Sequence, residues 1–497
     1  MTKKEYLTVD KVFALLSIVL GYFFIRWCFL GGAGIGATAV SVCLLILEAV
    51  YFIFTAKNPL NFRTIIAFVT VTLFSAGFCM TGSPLALFFN FIVFSLGAVY
   101  VCFRAYGNGA GKSWGDLFFF DLLKSAFVIP FSSFPSLFPA LFSRSGEKKE
   151  RKNIRNIFIG FAIAIFPVFI VTALLASADM AFSIVLKKLI RFDMDEIFTS
   201  FISLNLAIPV AMYFFGILYG NAKNPKPEIL NAESAEDAAK KAQFIPRATA
   251  YGVIIPLILV YIMFFAAQCI YFVSAFSEML PADFSYAQYA RQGFFELCTV
   301  CIINFVVICL ITAFTKRIDG KEAKIQRLLK ALLCLFTEAL IVIDIGKMFL
   351  YIGEYGLTQK RVVTSWFMIL LGILFLLLLL KQIFTKFKIT LPAAAVSVIL
   401  SAVLIFGNVD GLIAKYNVSA YQSKRLESVD ISAMYELDDS AIKYVLTLTD
   451  DSDPLVSMEA KDFIKCRANE IKEKELYTYT LHTFYAEKLL SEKGFIK

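Results

Sequence analysis

The sequence predicts an all-α protein: a polytopic α-helical membrane bundle of about eleven transmembrane helices over residues 1–407, then a small helical soluble domain over 408–497. Three observations carry this. Of the 497 residues, 59% are hydrophobic and 18% charged, and the mean hydropathy is +0.73. A soluble domain has about 45–50% apolar and ~25% charged residues, and no single soluble core of this length buries such an excess. The apolar residues also fall in runs of about 20, the length that crosses a hydrocarbon core. At Asn408 the composition turns polar and stays so.

The runs cover 11–30, 33–55, 64–82, 84–104, 155–178, 198–220, 248–275, 294–315, 329–352, 362–380 and 389–407. The first is read as a span rather than a cleaved leader, because its apolar run is long and a second follows at once. Pro167, Pro209 and Pro256 fall mid-span, where each removes a backbone hydrogen bond and kinks the helix.

Lys and Arg concentrate in cytoplasmic loops. With the N-terminus inside, the cytoplasmic segments are "AKNPLNFR", 105–154, the polar 221–247 loop, "KRIDGKEAKIQRLLK" and "KQIFTKFK", all basic or mixed. The outer turns "GGAG" and "TGSP" are uncharged, while the outer "GEYGLTQKR" runs against the bias. From Asn408 onward about 16 acidic and about 12 basic residues give roughly −4, so the membrane part of this +9 chain holds roughly +13. The expected location is the bacterial plasma membrane, multi-pass, with the N-terminus cytoplasmic and the C-terminal domain outside. Ten spans with the tail inside is the alternative.

Two stretches are expected to lie along the membrane. In "LFFFDLLKSAFVIPFSSFPSLFPALF" (117–142), Asp121, Lys124, Pro130, Pro135 and Pro139 interrupt a helical Phe stripe, predicting an interfacial or re-entrant segment. Residues 180–197 read as an amphipathic surface helix. In the tail, Asp453–Pro454 opens a helix and Gly494 closes the last one. His482 lies in that last helix, as a surface or interface residue or as a pH sensor.

Composition also excludes chemistry. His482 is the only histidine, so multi-imidazole metal cages, paired-His haem and di-iron clusters are ruled out. Nine of the ten Cys lie in apolar runs and read as buried hydrophobes. "CTVC" (Cys298, Cys301) has redox spacing but sits inside an apolar helix. Phosphate loops, dinucleotide glycine patterns, metalloprotease helices and nucleophile elbows are missing. Basic clusters at 144–155 and 316–330 flank spans and suit anionic lipid, not nucleic acid. The expected partners are the lipid bilayer and a protein partner for the tail; no cofactor, metal or nucleic acid is expected.

The candidate polar site is Glu296, Asn304, Glu338, Asp344, Lys347, Tyr351 and Glu354. At ~100° per residue, Thr337, Asp344, Lys347, Tyr351 and Tyr355 share one face of the ninth span. Asp344 and Lys347 are three apart and can pair. Glu296 faces the outer end of the eighth span and Asn304 lies deeper. The constellation is either the lining of a solvated cavity or a structural seam between helices. Glu354, Lys360 and Arg361 fall in an outer turn, with Gly353 and Gly356 reversing the chain.

"YARQGFFELCTVCIINFVVI" (289–308), "YIGEYGLTQKRVVTSWFMILL" (351–371) and "GNVDGLIAKYNVSAY" (407–421) together resemble a group of large bacterial integral membrane proteins, defined only as a domain of unknown function and seen mainly in Gram-positive bacteria. The resemblance covers roughly 150–440 and implies a polytopic body with a short helical tail, with no activity and no functional residues to carry over. Members sometimes bear a carotenoid-oxygenase label, which a chain with one His does not fit. Three readings follow: a membrane scaffold or sensor whose tail meets a partner; a transporter or lipid flippase using a cavity between the eighth and ninth spans; and, last, a lipid-modifying enzyme.

Overall fold

The computed structural model describes residues 6–32, 34–56, 59–109, 118–142, 194–223, 243–276, 294–317 and 322–496, with isolated positions at 171, 175, 237 and 241. The expected fifth span, the surface helix up to its last residues, and parts of the 105–154 and 221–247 segments lie outside the described residues.

The protein is an all-α polytopic helical bundle. Up to Phe406 its described helices are α1 (Thr8–Phe23, continued by a π-helical turn Phe24–Phe29), α2 (Ile35–Thr55), α3 (Phe62–Met80), α4 (Pro84–Ala105), the broken α5 (Phe118–Phe142), α6 (Met194–Lys223), α7 (Arg247–Phe276), α8 (Phe294–Phe314), α9 (Lys324–Tyr355), α10 (Gln359–Ile383) and α11 (Thr390–Phe406). Among the described residues nine helices are long and apolar enough to cross a membrane, or ten if α11 and the next helix, bent by 59°, count as one span. The 32-residue α9, expected as the ninth span, is not one of them, because Glu338, Asp344 and Lys347 interrupt its apolar stretch. At 1.5 Å per residue it is ~48 Å long, more than the ~30 Å hydrocarbon core.

Local sequence explains the ends. Asn61 and Thr358 accept the backbone N–H of Arg63 and Arg361 at the starts of α3 and α10, and Pro84 takes the first position of α4. Pro209 and Pro256 lie inside α6 and α7.

Two cores fill the bundle. One joins α1–α6, with Leu44, Phe74, Phe94 and Phe214 in one cluster and Phe13, Tyr51, Leu137 and Phe215 in another. The other joins α7–α10 around Ile254, Cys301, Leu333 and Phe375. Helix α11 packs on α3, α4 and α10, and Leu404 meets Ala86 and Trp366.

Helix α5 is the stretch read as interfacial or re-entrant. It has the length and composition of a membrane-crossing helix, and its Asp121 and Lys124 are buried in the bundle. Asp121 pairs with Arg104 at 3.1 Å, and Lys124 stands over the Phe103 ring. The Tyr213 hydroxyl donates to the Ala126 carbonyl, and the Pro130 carbonyl lies against Gly216. Phe127, Phe131, Phe138 and Phe142 are exposed.

After α11 the chain turns at Asn408, whose left-handed backbone (φ 46°) opens α12 (Val409–Gln422). Short helical turns fill 432–448, then α13 (Pro454–Glu473) and α14 (Leu481–Glu492) follow. Asp453 and Thr480 cap these last helices. This C-terminal unit has its own core, including Ile413, Met434, Val445, Phe463 and Leu490.

Candidate functional site

The sequence-predicted polar residues divide into a buried seam and an exposed rim. Asn304, fully buried on α8, accepts from the Tyr261 hydroxyl of α7 at 2.6 Å and donates to Thr337 of α9 at 2.9 Å. Thr337 passes its own proton to the Leu333 carbonyl at 2.7 Å. This chain satisfies each polar group and ties three helices together, as buried amides do in membrane bundles. Tyr261 carried no sequence signal beyond being a Tyr in an apolar run.

Two turns along α9, Asp344 is fully buried, and among the described residues neither of its oxygens has a hydrogen-bond partner. The expected Asp344–Lys347 pair is therefore not a hydrogen-bonded one. The Lys347 ammonium attracts the carboxylate through space while Glu296 repels it. Buried thiols Cys298 and Cys301 belong to the same core. Glu338 points toward α10, its Oε2 at 3.7 Å from where a Cβ on Gly372 would stand. Glu296 and Glu354 are exposed, so the structure does not bring them into the buried seam.

The turn between α9 and α10 has a different organisation from the one expected. Helix α9 runs through Gly353 to Tyr355, and Gly356 alone reverses the chain, with φ 73°. Arg361 is spent as a cap: its guanidinium donates to the carbonyls of Tyr355 and Gly356 at 2.9 and 2.5 Å, and lies 4.2 Å from the Tyr351 ring centre.

Sequence reading missed a junction between the C-terminal unit and the turns at this end of the bundle. Asn417 of α12 grips Leu357, accepting its N–H at 2.7 Å and donating to its carbonyl at 2.8 Å. Asp410 accepts from Gln359 of α10 at 2.8 Å and from the Asp438 N–H at 2.9 Å. Gly82, between α3 and α4, donates to Asp438 at 3.0 Å. Ile35 donates to the Tyr479 carbonyl at 2.9 Å, and the Trp27 and Tyr477 rings stack.

His482 joins this junction, with Nδ1 2.8 Å from Asp438, while Asp439 takes Lys474 at 2.7 Å and the Thr483 hydroxyl at 2.7 Å. Burial opposes the charge on His482, but Asp438, Asp410 and Asp439 outweigh it and raise its pKa. Burial likewise opposes the charge on Asp438, yet His482, Ser440 and the Gly82 N–H hold it below the usual carboxylate range. Asp410 is pushed up to about 7, by burial first and by the Asp438 charge second. A cavity of about 420 Å³ opens beside this group, lined by Lys443, Tyr444, His482, Tyr485 and Lys488 among others.

A family model described as domain of unknown function (DUF4153) matches residues 42–448. The chain belongs to this family. The DUF4153 match runs from α2 through the short turns of the C-terminal unit and stops before α13. It takes in every residue of the α7–α9 seam and the Asp410, Asn417, Asp438 and Asp439 side of the junction, but not His482. Comparison with curated proteins and with solved structures finds no match.

Proposed function

We propose that this integral membrane protein is a membrane sensor or scaffold, with its C-terminal unit on the outer face of the cell membrane as the receiving part. The observation that carries this is the docking of that unit onto turns from both helical cores: Ile35 and Gly82 in the first, Leu357 and Gln359 in the second. A ligand or partner that shifts the unit thereby pulls on both cores. The 420 Å³ polar cavity beside His482 offers a place for such a ligand. The docked turns near Gly34 and Gly82 carry no Lys or Arg, whereas the opposite end of the bundle carries Lys316, Arg317, Lys324, Lys381, Lys386 and Lys388. By charge bias that opposite end is cytoplasmic. A membrane-impermeant maleimide then labels Cys466 of α13 in intact cells. A truncated chain ending at Gly407 inserts but does not complement a deletion strain. Full complementation by the truncated chain refutes the reading.

Transport or lipid flipping is the second reading, and the buried, unpartnered Asp344 favours it. In liposomes, Asp344→Asn and Lys347→Met then reduce flux at unchanged abundance; loss of abundance alone makes the pair structural. The enzyme reading needs two converging groups. Glu354 is ten residues from Asp344, ~15 Å along the helix, and exposed.

A further inference from the structure

The first core also holds a buried carboxyl group that neither reading uses and that, unlike Asp10 and Asp121, has no hydrogen-bond partner among the described residues. Glu48 lies on α2, about 10 Å from the end of the helix at Thr55. It is 4% exposed, and among the described residues neither oxygen has a hydrogen-bond partner. Of the cations on α4 and α5, Arg104 pairs with Asp121 and Lys124 stands over the Phe103 ring. A carboxyl group in such surroundings is costly unless a partner meets it.

Glu48 lines a cavity of about 110 Å³ between α2, α3 and α4. Phe52, Phe68 and Tyr106 line the same space. The Tyr106 hydroxyl is already paired with Thr55 at 2.6 Å, so the cavity receives its ring rather than a free donor. Ile53 and Leu60, which also line it, are 74% and 44% exposed, so the cavity opens at the surface of the bundle near the ends of α2 and α3.

These features specify a ligand. A carboxylate held there is stabilised by a cation, and aromatic walls favour an organic ammonium group, which meets ring faces on one side and the carboxylate on the other. Hard metal ions need six or more oxygen ligands, and the lining supplies little beyond Glu48 and the Thr64 hydroxyl. The volume admits a small head and no more.

We propose that Glu48, Phe52, Phe68 and Tyr106 form a binding site for an organic ammonium group, carried by an ethanolamine lipid headgroup or by a free small amine. The test uses the full chain in detergent micelles, followed by thermal unfolding and native mass spectrometry. The probes are phosphatidylethanolamine and ethylammonium chloride, against phosphatidylglycerol and sodium chloride at matched ionic strength. The expected result is stabilisation and retention by an ammonium probe and not by the controls. Retention of the lipid alone assigns a headgroup site and response to ethylammonium alone a free-amine site; either supports the proposal. Glu48→Gln should weaken binding at least about tenfold, the size of one charge-assisted contact. Phe68→Leu should weaken it severalfold and decides the matter if Glu48→Gln fails to fold. No preference for either ammonium probe over the controls, or binding that both variants leave unchanged, overturns the proposal.

Discussion

Asn417→Ala tests whether the C-terminal unit is held as described. The wild-type amide satisfies both the N–H and the carbonyl of Leu357, and an alanine side chain satisfies neither. At about 1 kcal/mol net per hydrogen bond, the loss is about 2 kcal/mol of the free energy that keeps the unit docked. Since 1.4 kcal/mol is tenfold, opening should rise about thirtyfold. Hydrogen exchange by mass spectrometry on the full chain reads this at residues 355–359 and 409–422. Asn417→Asp keeps the acceptor for the Leu357 N–H and loses the donor, so its exchange should rise only about fivefold. The α7–α9 seam is the internal control and should not change. If Asn417→Ala exchanges like wild type at both segments, the grip on Leu357 does not hold the junction.

Further outcomes follow from the same geometry. Asp410 and His482 have folded pKa values raised above their unfolded values, so their contribution is complete at low pH and is lost as pH rises through about 7 for Asp410 and through the raised value for His482. Asp438 is depressed, so its contribution is lost as pH falls below the normal carboxylate range. Docking measured by exchange should therefore weaken as pH rises from the carboxylate range toward about 7 through Asp410, and further past neutrality through His482; Asp410→Asn should remove the part that falls below about pH 7 and leave the His482 part. Gly34→Ala should undock the first core from α14, since a Cβ there would sit 2.5 Å from the Thr478 carbonyl carbon at φ 128°; raised exchange at 477–483 checks it. Tyr261→Phe should leave an Asn304 acceptor unpaired in the membrane and lower the melting temperature, at a cost of about 1–3 kcal/mol.

Span positions were legible because length and hydropathy decide them, and most apolar runs became helices. Asn304 and Asp344 were legible too, since polar groups at membrane depth are few. Their partners were not. Tyr261 is 43 residues from Asn304 and looks like any other aromatic in a greasy run. The Asp344–Lys347 spacing permitted a pair, but helical spacing sets proximity and not rotamer. The partners of the α5 charges, Arg104 for Asp121 and the Phe103 ring for Lys124, were equally out of reach of their own stretch of sequence. The junction was the least legible part, because Asn417, Asp410 and Gly82 become neighbours only when chain segments tens to hundreds of residues apart meet. Two of the stretches that carried the family resemblance, 351–371 and 407–421, prove to grip each other there.

The junction also imposes an order of assembly. Ile35 finds its partner in Tyr479, 444 residues later. At ~5–20 residues per second, the first hairpin waits roughly 20–90 s in the bilayer before the strand of chain that covers it has been made. During that interval the first two turns at that end stand uncovered, open to chaperones or to another copy's tail. Closure of that contact therefore waits until the segment around Tyr479 has been made.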